Sequence, residues 1–335
     1  MKSRDEKIKY YTEKSQEFFP GIYTSEVRSW FNPELQSEPT SGKIEFSGRF
    51  LNEATLVNGP VQFIHYTSIP SAMNILNSGK IRLYNCLNLN DPSEIKYLLD
   101  KSPIDFSEDE IEKYKHDHFI LSGSLYESEN DEDFSLWRLY GDNGRGVALV
   151  FEINENVKNW MNIYLQKVSY EGAQNSSGVN EYLNFHKAFN DKYKLFENKP
   201  DFFSLLATGV KKEIWSVEKE FRIVVKNINP QSYKGYKNNP LISKSLNYEL
   251  KPSGKFVSYV ELPLNLNDYQ SNKIESPITN KEVDSIDYVP NLKVKKVIFG
   301  PNNPLEKDEG YIYFIKNLSE HYGSGIALSK STIDL

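Results

Sequence analysis

The sequence predicts an α+β protein, and two observations carry that prediction. A strand, a helix and a second strand follow one another directly over residues 61–85. The rest of the chain holds many apolar runs of strand length but only scattered helices. A doubly wound fold would repeat strand and helix regularly, because parallel strands are joined by crossover helices.

Composition sets the class of protein. The chain has 335 residues, 39% hydrophobic and 13% aromatic, which is enough to bury a core. Its net charge of −6 excludes the broadly basic surface that nonspecific nucleic-acid binding needs. One cysteine, Cys86, excludes an internal disulfide framework and a multi-cysteine zinc site. No apolar run approaches about 18 residues and the charged start has no apolar centre, so we expect a cytoplasmic protein without membrane contact.

We expect an N-terminal extension over residues 1–59 and one main domain over residues 60–335. The extension starts with a charged stretch of helical character. Pro, Gly and Ser then break the sequence into short pieces, which is typical of loops. The motifs that could carry chemistry begin only after this segment.

The main domain opens with its best-marked elements. The run "VQFIHY" from Val61 predicts a strand, and "TSIPSAMNILNSGK" predicts a short helix. Thr67 or Ser68 can cap this helix, Pro70 fits its first turn and Gly79 ends it. The strand "KIRLYN" follows at once.

The later elements have weaker start and stop signals in the sequence. They are an acidic helical region (100–118), the strand "HFILSGSL", the helix "FSLWRLYG", the buried strand "GVALVFEI" (146–153), helices within 181–215 interrupted near Pro200, a strand within 215–225, the strands "KFVSYVEL", "KVKKVIFG" and "GIALSKS", and a helix from about Pro304.

His65 lies at the end of the first strand, just before the predicted helix. The N–H groups and the positive dipole end of that helix are directed to the same corner, which favours an anion. A histidine there could hydrogen-bond a ribose or a phosphate. The alternative is a half-buried histidine bonded to a neighbouring carbonyl group, a common structural role.

The stretch "WSVEKEFRIVV" (215–225) predicts a strand with two faces. Glu218, Glu220 and Arg222 lie on one face, and the apolar core face carries Val217, Phe221 and Ile223. Arg222 is placed to keep Glu220 ionised. A fixed carboxylate can stabilise an oxocarbenium ion or accept a hydrogen bond from a sugar hydroxyl. The alternative is an exposed Glu–Arg ladder, which contributes about 1 kcal/mol at most.

Two further motifs could support a site. "WRLYGDNGRG" places Trp137, Tyr140 and Arg145 around a loop whose glycines do not form G-x-G-x-x-G. Its rings and arginine could stack on a base, and packing of Trp137 in the core is the alternative. The hydroxyl groups of Ser122 and Ser124 follow an apolar strand and could orient another group.

Seven short motifs occur in one order: "HYTS" (65–68), "ILNSGKIRLYN" (75–85), "NDPSE" (90–94), "SGSL" (122–125), "LWRLYGDNGRGVALVF" (136–151), "WSVEKEFR" (215–222) and "KKVIFGP" (295–301). Together they resemble the prokaryotic family catalogued as domain of unknown function 2971, over roughly residues 61–332. The family's name assigns no activity.

A more distant resemblance is to ADP-ribosyltransferases that consume NAD. It implies split antiparallel sheets with a central cleft. It puts His65 where a first-strand residue anchors the ribose next to nicotinamide, Glu220 in the catalytic place, and Glu218 in the upstream place that influences the acceptor. Tyr84 or Tyr140 would stack on nicotinamide. The other ligand-binding residues that it implies are Tyr66, Thr67, Ser68, Trp137, Arg145 and Arg222.

The resemblance implies an enzyme that cleaves NAD and transfers ADP-ribose to a protein, a nucleic acid or water, with NAD as substrate and no metal. Toxins and phage-defence effectors often work this way, and a neutralising or regulatory partner would fit. Two alternatives stay open. One is a sensor module that binds a nucleotide or peptide without turnover. The other is a metal-dependent nuclease using Asp91, Glu94, Glu218 and Glu220, which lack a recognised ligand spacing.

Overall fold

The protein is described here from a computed structural model. The structure describes residues 3–19, 22–26, 42–46, 60–89, 91, 94–128, 131–153, 163–171, 178–196, 199–200, 202–226, 246–251, 253–264, 273–275, 282–284, 290, 292–321 and 325–333. The chain forms two compact units. Unit 1 comprises Met1–Leu56, Leu87–His116 and Tyr164–Ser216, and unit 2 comprises Val57–Cys86, Asp117–Ile163 and Val217–Leu335. The first 56 residues thus share a unit with two later segments.

The described helices are α1 (Arg4–Phe18), α2 (Ile69–Ser78), α3 (Glu94–Lys101), α4 (Glu108–Asp117), α5 (Phe134–Leu139), α6 (Gly178–Tyr193), α7 (Phe202–Ala207) and α8 (Glu309–His321). The described strands are β1 (Ile22–Glu26), β2 (Gly42–Phe46), β3 (Val61–Thr67), β4 (Lys80–Asn85), β5 (His118–Leu125), β6 (Val147–Ile153), β7 (Ile163–Lys167), β8 (Ser169–Glu171), β9 (Val210–Lys212), β10 (Glu220–Lys226), β11 (Asn247–Leu250), β12 (Phe256–Pro263), β13 (Lys273–Glu275), β14 (Glu282–Asp284), β15 (Leu292–Phe299) and β16 (Ala327–Lys330). Short 3-10 helices cover Cys86–Asn88 and Glu213–Glu218.

The predicted α+β class is confirmed, with a large sheet in unit 2. Its strand order is β11-β12-β4-β5-β3-β6-β15-β16, and β10 also pairs with β5. These neighbours are antiparallel except for β15 and β16, which are parallel, so the sheet is mixed. Unit 1 contains the antiparallel pair β1–β2 and the parallel pair β8–β9. It also contains the helices α1, α3, α6 and α7 and nearly all of α4.

The helix α2 confirms its predicted start and stop signals. The Ser68 hydroxyl accepts a hydrogen bond from the N–H of Ser71 at 3.4 Å, and Pro70 occupies the first turn. Gly79 ends the helix at φ +63°, a left-handed conformation that glycine adopts at little cost.

Two predicted boundaries are wrong. The last helix, α8, begins at Glu309 rather than near Pro304. Its cap is Asp308, whose carboxylate accepts from the N–H of Tyr311 at 2.9 Å. The strand predicted from residue 215 begins only at Glu220, because residues 213–218 form a 3-10 helix.

The central strand β5 pairs with three neighbours. All of residues 118–124 pair with β10 along one edge. A strand has only two edges, so β4 and β3 must share the other one. β4 pairs with Phe119 and Ile120, and β3 pairs with Ser124 and Leu125. The sheet therefore forks along β5, and β4 and β3 diverge on the two sides of residues 121–123.

Candidate functional site

The ADP-ribosyltransferase resemblance implies that His65 and Glu220 contact the same ligand. The strand register of unit 2 places these two residues on opposite faces of the sheet. Ser124 of β5 lies opposite Ile64 on β3 and opposite Glu220 on β10. Directly opposed residues of antiparallel strands point to the same face, so Ile64 and Glu220 share a face. His65 is the next residue of β3, and strand alternation directs it to the other face.

Glu220 and Arg222 form a buried ion pair on β10. The Arg222 Nε donates to Glu220 Oε1 at 2.7 Å, and Nη2 donates to Oε2 at 2.9 Å. The glutamate is 4% exposed and the arginine 1% exposed. The predicted pairing is present, but the alternative of an exposed ladder is wrong. Both carboxylate oxygens of Glu220 are engaged by a bidentate partner.

Glu218 lies at the end of the 3-10 helix, two residues before Glu220. The Tyr140 hydroxyl donates to its Oε1 at 2.5 Å. The Ser124 hydroxyl donates to its carbonyl oxygen at 2.6 Å, so a serine of the predicted Ser-x-Ser motif does orient another group. Lys219 has φ +42°, a left-handed conformation that is uncommon for lysine and breaks the strand alternation. Glu218 therefore does not lie on the strand face predicted for it, and Val217, predicted to be apolar core, is exposed.

His65 is a half-buried histidine with one fixed tautomer. Its Nδ1 lies 2.9 Å from the carbonyl oxygen of Ser122, at the fork of β5. A carbonyl only accepts, so Nδ1 carries the proton and Nε2 keeps its lone pair. Burial lowers the pKa of the His65 ring, and the Ser122 hydrogen bond offsets this only in part. At pH 7 the imidazole is a neutral acceptor.

The pKa of His65 predicts a stability change in acid. Because this pKa lies below its ordinary 6.5 in the folded protein, the unfolded chain takes up the proton first as the pH falls. The contribution of His65 to stability is complete above pH 6.5 and is lost as the pH falls through the lower pKa. Between about pH 7.5 and about pH 5, we expect His65→Asn to lose less stability than wild type in urea unfolding. Equal losses of stability for wild type and His65→Asn would contradict the assignment.

Trp137 and Tyr66 are core residues. The Trp137 ring is fully buried and lies 4.9 Å from the Tyr66 ring, edge to face. The indole N–H donates to Glu132 at 3.2 Å, and the Tyr66 hydroxyl accepts from the backbone of Asp133 at 3.1 Å. The core alternative for Trp137 is therefore the one observed, and neither ring is open to stacking on a ligand.

The glycine loop after α5 serves packing. A Cβ atom on Gly146 would lie 2.2 Å from the Thr67 carbonyl oxygen, and one on Gly141 would lie 2.4 Å from the Trp137 ring. Thr67 is itself buried, and Ser68 caps α2. Of the predicted ligand residues in this loop, Arg145 is exposed and lies 3.4 Å from Asp142.

Tyr84 belongs to a polar cluster formed by β4, β11 and Lys251, the residue that follows β11. Its hydroxyl donates to Glu249 at 3.1 Å and accepts from Lys251 at 2.8 Å. Arg82 donates to the same Glu249 carboxylate at 2.6 Å. No local sequence signal indicates Glu249 or Lys251, because only the pairing of β4 with β12 and of β12 with β11 brings them near Tyr84.

The nuclease hypothesis needs carboxylates from both units. Glu94 lies in unit 1, where it is buried 3.5 Å from Lys211, whereas Glu218 and Glu220 lie in unit 2. Within the part of the chain that the structure describes, no three His, Cys, Asp or Glu side chains are grouped to hold a metal ion.

Unit 1 also contains a cavity of about 160 Å3. Phe18, Phe19, Gln166, Ser169, Gly178, Val179, Leu206 and Gly209 line it. These residues include none of the site residues predicted from the sequence.

Residues 136–223 match the model of a family described as "Protein of unknown function (DUF2971)". Over these residues the match confirms the predicted family resemblance. The DUF2971 match includes α5, the glycine loop, Glu218 and the Glu220–Arg222 pair, but not His65. No curated protein and no solved structure gives a significant match. None of the helices within the described ranges is long and apolar enough to cross a membrane.

Proposed function

We infer that unit 2 is a module that binds NAD or a related nucleotide at His65 and holds it without turnover. The hydrogen bond from His65 Nδ1 to the Ser122 carbonyl carries this inference, because it fixes Nε2 as a neutral acceptor on a rigid strand. Ribose hydroxyl groups are donors that such a nitrogen accepts. The fork of β5 beside His65 supports the split-sheet cleft that the ADP-ribosyltransferase resemblance implies.

The burial of the Glu220 carboxylate and its pairing with Arg222 favour a binding role for unit 2 over a catalytic one. Its carboxylate is buried and engaged by Arg222 through both oxygens. It also faces the side of the sheet opposite His65. A ligand held by His65 would therefore have the sheet between itself and Glu220, and a carboxylate acts on a reacting centre only at contact distance.

ADP-ribosyl transfer is the second candidate, and the geometry around Glu218 favours it. Strained backbone conformations such as that of Lys219 concentrate at functional sites. With Tyr140 orienting its carboxylate, Glu218 rather than Glu220 would stabilise the oxocarbenium ion as the C–N bond to nicotinamide breaks. ADP-ribose would then pass to a protein, a nucleic acid or water, as in a toxin or a phage-defence effector.

Titration calorimetry with NAD tests the proposal. In His65→Asn the side-chain N–H can still reach the Ser122 carbonyl, but the acceptor at Nε2 is lost. We expect wild type to bind NAD and His65→Asn to bind at least about tenfold more weakly, a loss of about 1.4 kcal/mol. His116→Asn should bind like wild type, and unchanged NAD affinity in His65→Asn would overturn the proposal.

Nicotinamide release separates the two candidates. The binding module predicts none, with or without cell lysate. Release that Glu218→Gln abolishes, while NAD binding is retained, would establish the transferase and reject the module. Glu220→Gln is a poor test of catalysis, because it also disturbs the buried pair with Arg222.

A further inference from the structure

An apolar patch lies on the edge hairpin of unit 2, formed by β11 and β12. Its residues are Tyr248, Leu250 and Phe256, which are 59%, 69% and 66% exposed. The rings of Tyr248 and Phe256 stack at 5.5 Å. Among the strands that the structure describes, β11 pairs only with β12 and stands at one end of the strand order of the sheet. Exposed apolar edge strands are sites of strand pairing with another chain.

The hairpin fixes which backbone groups of β11 point outward. The N–H of Lys251 donates to the carbonyl of Lys255 at 2.9 Å, so Lys251 directs its backbone groups toward β12. Backbone direction alternates along a strand, so Glu249 does the same. Tyr248 and Leu250 therefore direct their N–H and C=O groups away from β12, toward an incoming strand.

The sequence of β11 complements itself. In an antiparallel pair of two copies centred on Leu250, the two Leu250 residues face each other. Glu249 of each copy then lies opposite Lys251 of the other, and opposite charges in such cross-strand positions stabilise the pair. A pair centred on Glu249 would instead oppose two carboxylates. Charge thus favours the register centred on Leu250 over the one centred on Glu249, and the Leu250 register has the twofold symmetry of a homodimer.

We propose that β11 pairs with β11 of a second copy of this chain, antiparallel and centred on Leu250. The patches of the two copies then form one continuous apolar face. The contact is short, so the dimer is expected to be concentration-dependent, with a dissociation constant on the order of micromolar or weaker. Sedimentation of wild type over a range of concentrations should show the monomer converting to a dimer. Leu250→Asp, a change at an exposed position, should remain monomeric.

Disulfide trapping tests the register. The two Leu250 Cα atoms would lie about 5.5 Å apart as a hydrogen-bonded pair, within the range that a disulfide bridges. Leu250→Cys should therefore form a covalent dimer under mild oxidation. Tyr248→Cys is the matched control, because its two Cα atoms would lie about 13 Å apart along the strands. The only native cysteine, Cys86, is buried.

Two outcomes would overturn the proposal. One is a wild-type chain that stays monomeric at every concentration, together with no covalent dimer of Leu250→Cys. The other is equal trapping of Leu250→Cys and Tyr248→Cys, which would mean random collision rather than one register.

Discussion

Arg222→Met is expected to destabilise unit 2 by about 3–5 kcal/mol. The arginine is almost fully buried, and methionine fills similar space but removes the charge that Glu220 pairs with. A buried carboxylate without its partner pays its full desolvation cost. Urea unfolding followed by far-ultraviolet circular dichroism measures the loss as a shift of the midpoint.

A double variant is the control for this prediction. Glu220→Leu with Arg222→Met replaces the whole pair by apolar side chains, a change that is often neutral or stabilising. We expect the double variant to recover most of the stability lost by Arg222→Met alone. If the free energy of unfolding of Arg222→Met were within about 1 kcal/mol of wild type, this would contradict a buried Glu220 that depends on Arg222 as its partner.

Trp137→Ala is expected to cost about 3–5 kcal/mol, the range for removing a large aromatic side chain from a core. The ring is fully buried in a cluster with Ile64, Tyr66, Leu136 and Val150. Far-ultraviolet circular dichroism in urea is again the measurement, since the substitution removes a fluorescent group. Phe134→Ala, at an exposed position on the same helix, should change stability by no more than about 0.5 kcal/mol.

The same variant decides between two roles for Trp137. If the ring stacked on a ligand, Trp137→Ala would weaken NAD binding while the urea midpoint stayed in place. If Trp137 is a core residue, Trp137→Ala lowers the urea midpoint strongly. Normal stability with weakened binding would therefore return Trp137 to the binding site.

Much of the secondary structure could be predicted from local signals. β4 and β5 have the predicted bounds, and α2 has the predicted cap and stop. The errors occur where a side chain or an unusual backbone conformation overrides the pattern. The helix α8 begins later than predicted because Asp308 caps it. The strand β10 begins later than predicted because Lys219, in a left-handed conformation, turns the chain just before Glu220. Lysine carries no sequence signal for a left-handed conformation.

The candidate site was predictable only in part. The Glu220–Arg222 pair follows from a spacing of two residues on one strand, which alternation alone brings together. The contacts of Glu218 with Tyr140 and Ser124 join residues far apart in the chain, and no local pattern indicates them. The same holds for the His65 hydrogen bond to Ser122, although a bond to some neighbouring carbonyl was an open alternative.

The sequence by itself determined the α+β class, the main strands and α2, the pairing of Glu220 with Arg222, and the family resemblance. Each depends on residues close together in the chain or on motifs in a fixed order. Only the tertiary structure decided that His65 and Glu220 face opposite sides of the sheet. The physical reason is that a one-residue difference in strand register reverses the face of a side chain, and register between distant strands is set by the packing of the whole sheet.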